Sequence, residues 1–148
     1  MKADVALLGG FPDTGDATLS DRNPPAFPTA LDGGDVAPYV LFGENLQNVR
    51  IDGLIIFRGT GGQEGSGIRI TGQSTDILIH QCTLHENGNV GIYAKDSTLK
   101  ITQCILENNR GNSASGLLYK MVPLSWKIVS SLQTRQGAAA PSAGRARP

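Results

Sequence analysis

His80, His85, Glu86 and Glu107 are the residues here whose types could do chemistry together, because imidazoles beside carboxylates serve as general acids and bases or as metal ligands. The chain has only these two histidines. Glu107 follows His85 by 22 residues, a spacing that recurs elsewhere, and the plainer reading of the pair is a solvated turn. Asp52, His80 and Thr102 fall at equivalent places and are expected to form one outward column, which is not an acid-base constellation. Neither set justifies assigning a catalytic, metal-ligating or cofactor-binding residue, so none is assigned.

Cys82 and Cys104 are the second candidate. They stand one repeat apart, near enough for a disulfide in principle. A parallel stacking of their side chains in a core favours instead two buried small hydrophobes, and neither has an exposed base to activate it as a nucleophile. The run Gly59-Thr60-Gly61-Gly62-Gln63-Glu64-Gly65-Ser66-Gly67 resembles a phosphate loop only in its glycines. It lacks the Gly-Lys-Ser/Thr ending and no helix follows, so it reads as a loop projecting between two strands.

The elements that must position these residues are repeats. Asp76-Ile77-Leu78-Ile79-His80-Gln81-Cys82-Thr83-Leu84-His85-Glu86-Asn87 aligns with Thr98-Leu99-Lys100-Ile101-Thr102-Gln103-Cys104-Ile105-Leu106-Glu107-Asn108-Asn109 at a constant offset of 22. A looser copy, Asn48 to Ile56, places Leu54 where the later copies have cysteine. Apolar and polar residues alternate within each copy, the period of a strand with one buried face. The inward stacks are then Val49/Ile77/Leu99, Ile51/Ile79/Ile101, Leu54/Cys82/Cys104 and Ile56/Leu84/Leu106. Arg50, Leu78 and Lys100 point out.

Gly67-Ile68, Gly91-Ile92 and Gly116-Leu117 each open a second, shorter strand. Asn87 and Asn109 close equivalent turns, where asparagine tolerates left-handed backbone and its amide can bond the amide one coil along. The pattern predicts an all-β fold, a parallel β-helix of about three coils.

Composition fits a turn-rich solenoid: 19 glycines and 8 prolines against 5% aromatic residues. Thirteen basic and thirteen acidic residues cancel, which removes the usual reason to expect nucleic acid or an anionic membrane as partner. No apolar run approaches a membrane span, and Val5-Ala6-Leu7-Leu8 is too short for a secretory signal.

The segment before the repeats, residues 1–36, is expected to be an irregular lead-in. Its Gly9-Gly10-Phe11-Pro12, Asp21-Arg22-Asn23-Pro24 and Pro28-Thr29-Ala30-Leu31-Asp32-Gly33-Gly34-Asp35, with Ile51-Asp52-Gly53-Leu54 beyond, resemble the entrance to β-helix domains of large bacterial surface proteins, in the pectin-lyase-like class. Ala26-Phe27 and Asp32 depart from that pattern. The resemblance covers roughly residues 7–119. It implies a right-handed helix and an extracellular or surface-attached parent. This chain is expected to be a fragment of that parent, with carbohydrate or another surface protein as partner, no cofactor and no membrane insertion.

Polysaccharide lyases of this fold pair calcium-binding acids with a basic residue, a set not found here. The expected function is therefore a non-catalytic stalk or carbohydrate-facing surface; the alternative is part of a polysaccharide lyase or glycoside hydrolase with catalytic coils outside this chain. Coils are expected over 37–119. Residues 120–148 leave the pattern and read either as a disordered tail or as the product of a frameshift near residues 117–123, because the frame two nucleotides on permits another Cys-to-Asn repeat. Open coil ends would expose unpaired backbone and favour self-association.

Overall fold

The computed structural model describes residues 1–62, 67–111, 117–120 and 132–135. Within them the chain winds in coils of three short strands. The first coil holds β1 (Val5–Leu8), β2 (Thr29–Asp32) and β3 (Leu41–Glu44), and the second holds β4 (Gln47–Asp52), β5 (Leu54–Phe57) and β6 (Ile68–Thr71). The third is β7 (Thr75–His80), β8 (Thr83–His85) and β9 (Ile92–Lys95). The fourth is β10 (Leu99–Thr102), β11 (Cys104–Glu107) and β12 (Leu117–Lys120), after which comes β13 (Leu132–Arg135). Each strand pairs only with its counterparts in adjacent coils, always in parallel, giving a first sheet β1-β4-β7-β10, a second β2-β5-β8-β11-β13 and a third β3-β6-β9-β12. This is the parallel β-helix that the repeats predict.

Two features differ from the sequence reading. The long strand expected over 48–56 and its copies is cut in two by a corner, so each coil has three strands. A single residue makes that corner: Gly53, Gln81 and Gln103 adopt left-handed φ of 69°, 48° and 54°. The corner resets the alternation, which is why Ile51 and Leu54, three apart, both face inward. Left-handed backbone also follows the second sheet, at Arg58, Glu86 and Asn108. It falls there one residue before Asn87 and Asn109, not on those asparagines themselves.

The second difference is the lead-in. Residues 1–36 contribute β1 and β2, which with β3 add a coil to the three expected, Val5 lying opposite Val49 and Thr29 opposite Leu54. Between β1 and β2 the chain makes a long excursion over residues 9–28 that includes a short 3-10 turn at Leu19–Asp21. Of the region 120–148, β13 places Leu132 opposite Cys104. Apart from Lys120, which ends β12, the remainder of the tail lies outside the described residues, as do residues 63–66 of the glycine-rich loop.

The core is the space enclosed by the three sheets. Val49, Ile51, Leu54 and Ile56 of the second coil are buried, as are Ile77, Ile79, Cys82 and Leu84 of the third and Leu99, Ile101, Cys104 and Leu106 of the fourth. Ile68, Ile70, Ile92 and Ala94 close it from the third sheet. Like residues meet because the register is exact along the axis: Ile51 pairs Ile79, and Ile79 pairs Ile101. Burying each Ile or Leu contributes about 1.5–3 kcal/mol. Strand spacing of about 4.8 Å makes every column continuous apolar contact.

Candidate binding groove

Asparagine amides continue the columns past the second sheet. The Asn109 Oδ1 accepts hydrogen bonds from the Asn87 backbone N–H (3.1 Å) and from its Nδ2 (2.9 Å). Asn87 Oδ1 in turn accepts the Gly59 N–H at 3.1 Å, while Asn109 Nδ2 donates to Leu84 O at 3.0 Å. These buried amides form a ladder that satisfies corner backbone groups water cannot reach. The ladder holds the solenoid and offers nothing to a ligand.

Cys82 and Cys104 are both free and buried. Their thiols donate to main-chain carbonyls, Cys82 to His80 O at 3.2 Å and Cys104 to Thr102 O at 3.4 Å. A hydrogen bond with Cys104 and burial push the Cys82 thiol above its ordinary range, which keeps it from acting as a nucleophile.

The histidines are not brought together, since His80 ends β7 in the first sheet and His85 ends β8 in the second. His80 Nδ1 lies 2.7 Å from Thr102 Oγ1. His85 stacks on Phe57 with ring centroids 5.1 Å apart, sits 3.7 Å from the Glu86 carboxylate and pairs in register with Glu107. Among the described residues no three His, Cys, Asp or Glu side chains converge as a metal site would require.

Asp52 does occupy the column with His80 and Thr102, but it is fully buried rather than facing solvent. The lead-in covers it. Arg22 forms a salt bridge to Asp52 Oδ1, while Arg50 Nε donates to Oδ2 at 2.8 Å. Arg22 Nε also donates to Gly9 O at 2.6 Å, and Asn23 N–H donates to Gly10 O at 2.6 Å. Two motifs of the lead-in and the Ile51-Asp52-Gly53-Leu54 motif thus meet at one point. Gly53 completes it: a Cβ there would stand 2.3 Å from an Arg22 guanidinium nitrogen and 2.6 Å from the Pro24 ring.

Fixing Arg22 and Asn23 sets the prolines that follow as a wall beside the second sheet. Pro24, Pro25 and Pro28 face the outward residues Ile55, Thr83 and Ile105 and the corner residues Gln81 and Gln103 across a groove of about 660 Å³. It spans the second, third and fourth coils, with Gly53, Leu54 and Cys104 contributing to its lining. That volume suits a small ligand or several units of a longer one. Sequence reasoning missed the groove, because its wall comes from the excursion; the recurring Gln in Gln-Cys was its one visible sign.

Residues 38–119, more than half of the chain, match the family model described as a right-handed β-helix region. The chain belongs to that family. No curated protein and no solved structure gives a match to it. As a right-handed β-helix the molecule presents three long outer faces, and among the described residues the second sheet's is the one lined by a wall. No helix among the described residues is long and apolar enough to cross a membrane.

Proposed function

We propose that this right-handed β-helix is a non-catalytic part of a secreted or cell-surface protein, and that its groove along the second sheet holds carbohydrate without cutting it. The observation that carries this reading is the lining. Glycosidases use a pair of carboxylates across the scissile bond, and lyases need a placed base. Among the described residues the groove's lining includes no Asp, Glu, His, Lys or Arg. On the neighbouring column Asp32, Phe57, His85 and Glu107 lie in register; its two carboxylates stand three coils apart, about 14 Å at about 4.8 Å per coil, too far for a glycosidase pair, and Arg58 engages Asp32.

The resemblance of the lead-in motifs to the entrance of β-helix domains in bacterial surface proteins supports a surface parent. The test is affinity electrophoresis of the full chain through gels carrying soluble plant and bacterial polysaccharides, with parallel assays for new reducing ends and for unsaturated products. Retardation without product is expected. Product release would instead favour the enzyme alternative, and absence of retardation in every gel would remove carbohydrate as the partner.

A further inference from the structure

From where the groove starts and stops along the axis we infer that it takes the end of a polysaccharide chain, holding the last few sugars, and does not lie along a chain's interior. This deepens the carbohydrate reading above and rests on it.

The excursion is rooted across one end of the groove. It leaves the stack after Leu8, which pairs with Asp52, and returns at Pro28, next to Thr29, which pairs with Leu54. Residues 9–28 are therefore the first coil's version of the corner between the first and second sheets. In the next three coils a single residue makes that corner, Gly53, Gln81 and Gln103 in turn, and all three line the groove. A polymer lying along the groove, parallel to the axis, thus runs into the excursion at the second coil.

The stop is tightly built. A Cβ on Gly9 would stand 2.5 Å from Gly53 O and 2.8 Å from Thr29 Cβ, and one on Gly10 would stand 2.6 Å from Pro24 N, so the root packs backbone against coil without a gap to thread. Arg22, bonded to both Asp52 and Gly9 O, ties it down. Pro24, Pro25 and Pro28 are the part of this stop that reaches the groove.

The other end is different. Ile105, in the fourth coil, is 37% exposed, and the second sheet continues past it to β13, where Gln133 lies opposite. From Ile55 through Thr83 to Ile105 the floor covers two coil steps, about 9.6 Å at about 4.8 Å per coil. That is room for a few sugars between the stop and the open side.

The occupant enters as a chain end, not as an added strand. Strands β5, β8 and β11 are each paired on both edges, so a peptide finds no edge to extend. Contact falls to side chains and to the proline rings, which suit the C–H face of a terminal sugar. Only a terminal sugar can abut the stop, since an interior one has a neighbour on each side.

The test counts proteins per polysaccharide chain. Xylan, mixed-linkage β-glucan, homogalacturonan and dextran, run first in the affinity gels, are each fractionated into short chains and chains ten times longer, and titrated calorimetrically into the full chain. End capture predicts one protein bound per polysaccharide chain in both fractions, so the longer fraction binds about tenfold less protein per gram. In a second arm, short chains carry a bulky aryl label on the reducing end in one preparation and on the non-reducing end in another. One label should abolish binding and the other should leave it unchanged.

Several proteins on each long chain, or binding indifferent to both labels, would overturn end capture while the gels still support carbohydrate as the partner. With no retention in any gel and no heat in any titration, both readings fall.

Discussion

The lead-in excursion and the third and fourth coils bury polar groups by opposite means. In the repeated coils, beside buried Ser74 and Ser97, buried amides bond to copies of themselves, Asn87 to Asn109, flanked by columns of Ile, Leu and Cys. Under the lead-in the buried polar group is a carboxylate, Asp52 of β4, held by two arginines from different parts of the chain and fitted against glycines that leave no room for a side chain. Repetition spreads stability over neighbouring interfaces, each worth little alone. The excursion has no neighbour like itself, so it concentrates its stability in one non-repeating contact.

The largest expected effect follows from that concentration. Asp52→Ala leaves Arg22 with its side chain mostly buried and only Gly9 O to bond, and breaking such a pair costs about 3–5 kcal/mol. Urea unfolding should register the loss, and amide exchange should speed first at Gly10 and Asn23. A loss under about 1 kcal/mol would mean that pairing of β1 and β2, not the clamp, holds the lead-in.

Removing a rung of the ladder should cost less. Asn109→Ala strips the Asn87 N–H and Nδ2 of their shared acceptor, worth about 1–3 kcal/mol where the orphaned groups stay buried. Exchange should quicken around residues 87 and 109 and leave Gly10 protected. Loosening of both regions together would erase the distinction between them.

A gain is expected at the corners. Glu86 holds φ of 53° and is exposed, and left-handed backbone costs a non-glycine residue roughly 1–2 kcal/mol. Glu86→Gly should recover part of this, offset by about 0.5–1 kcal/mol of extra unfolded-state freedom. The melting temperature should hold or rise slightly; a clear fall would show that the Glu86 side chain contributes contacts of its own.

The smallest effect is a pH dependence in the first coil. Arg58 donates two hydrogen bonds to Asp32 and the Gly34 N–H adds a third, which holds the Asp32 carboxyl below its ordinary value. A lowered folded pKa gives stability that is present above the unfolded pKa of about 3.9 and fades as pH falls through the folded value. Asp32→Asn should remove that part of the acid sensitivity and nothing at neutral pH beyond a minor loss, as both side chains are well exposed.

The sequence made the repeats legible because alternation and offset act over short windows. Ile79 above Ile51 and Leu106 above Leu84 follow directly from the 22-residue copies and the looser one before them. The corner at Gln81 and Gln103 was not legible, since glutamine carries no signal for left-handed backbone and tertiary pairing imposes it. Nor was β1, whose partner Val49 lies 44 residues beyond Val5, across an excursion with no counterpart among the later described residues. The groove was hidden for the same reason: one side is periodic and the other is not. Arg22 and Asp52 each stood within a motif, but no spacing rule joins residues thirty apart that occur once.

The exact register along the axis makes this molecule countable. Ile77 lies opposite Leu99 and Leu84 opposite Leu106, so 22 residues carry the third coil onto the fourth in the first two sheets, while the third sheet takes 25 from Ile92 to Leu117. Duplicating residues 77–98 would add one storey without disturbing those above or below, and deleting such a unit would remove one. Length in this architecture behaves as an integer, set by how many copies the gene carries, and the floor of the groove lengthens or shortens by whole steps along with it.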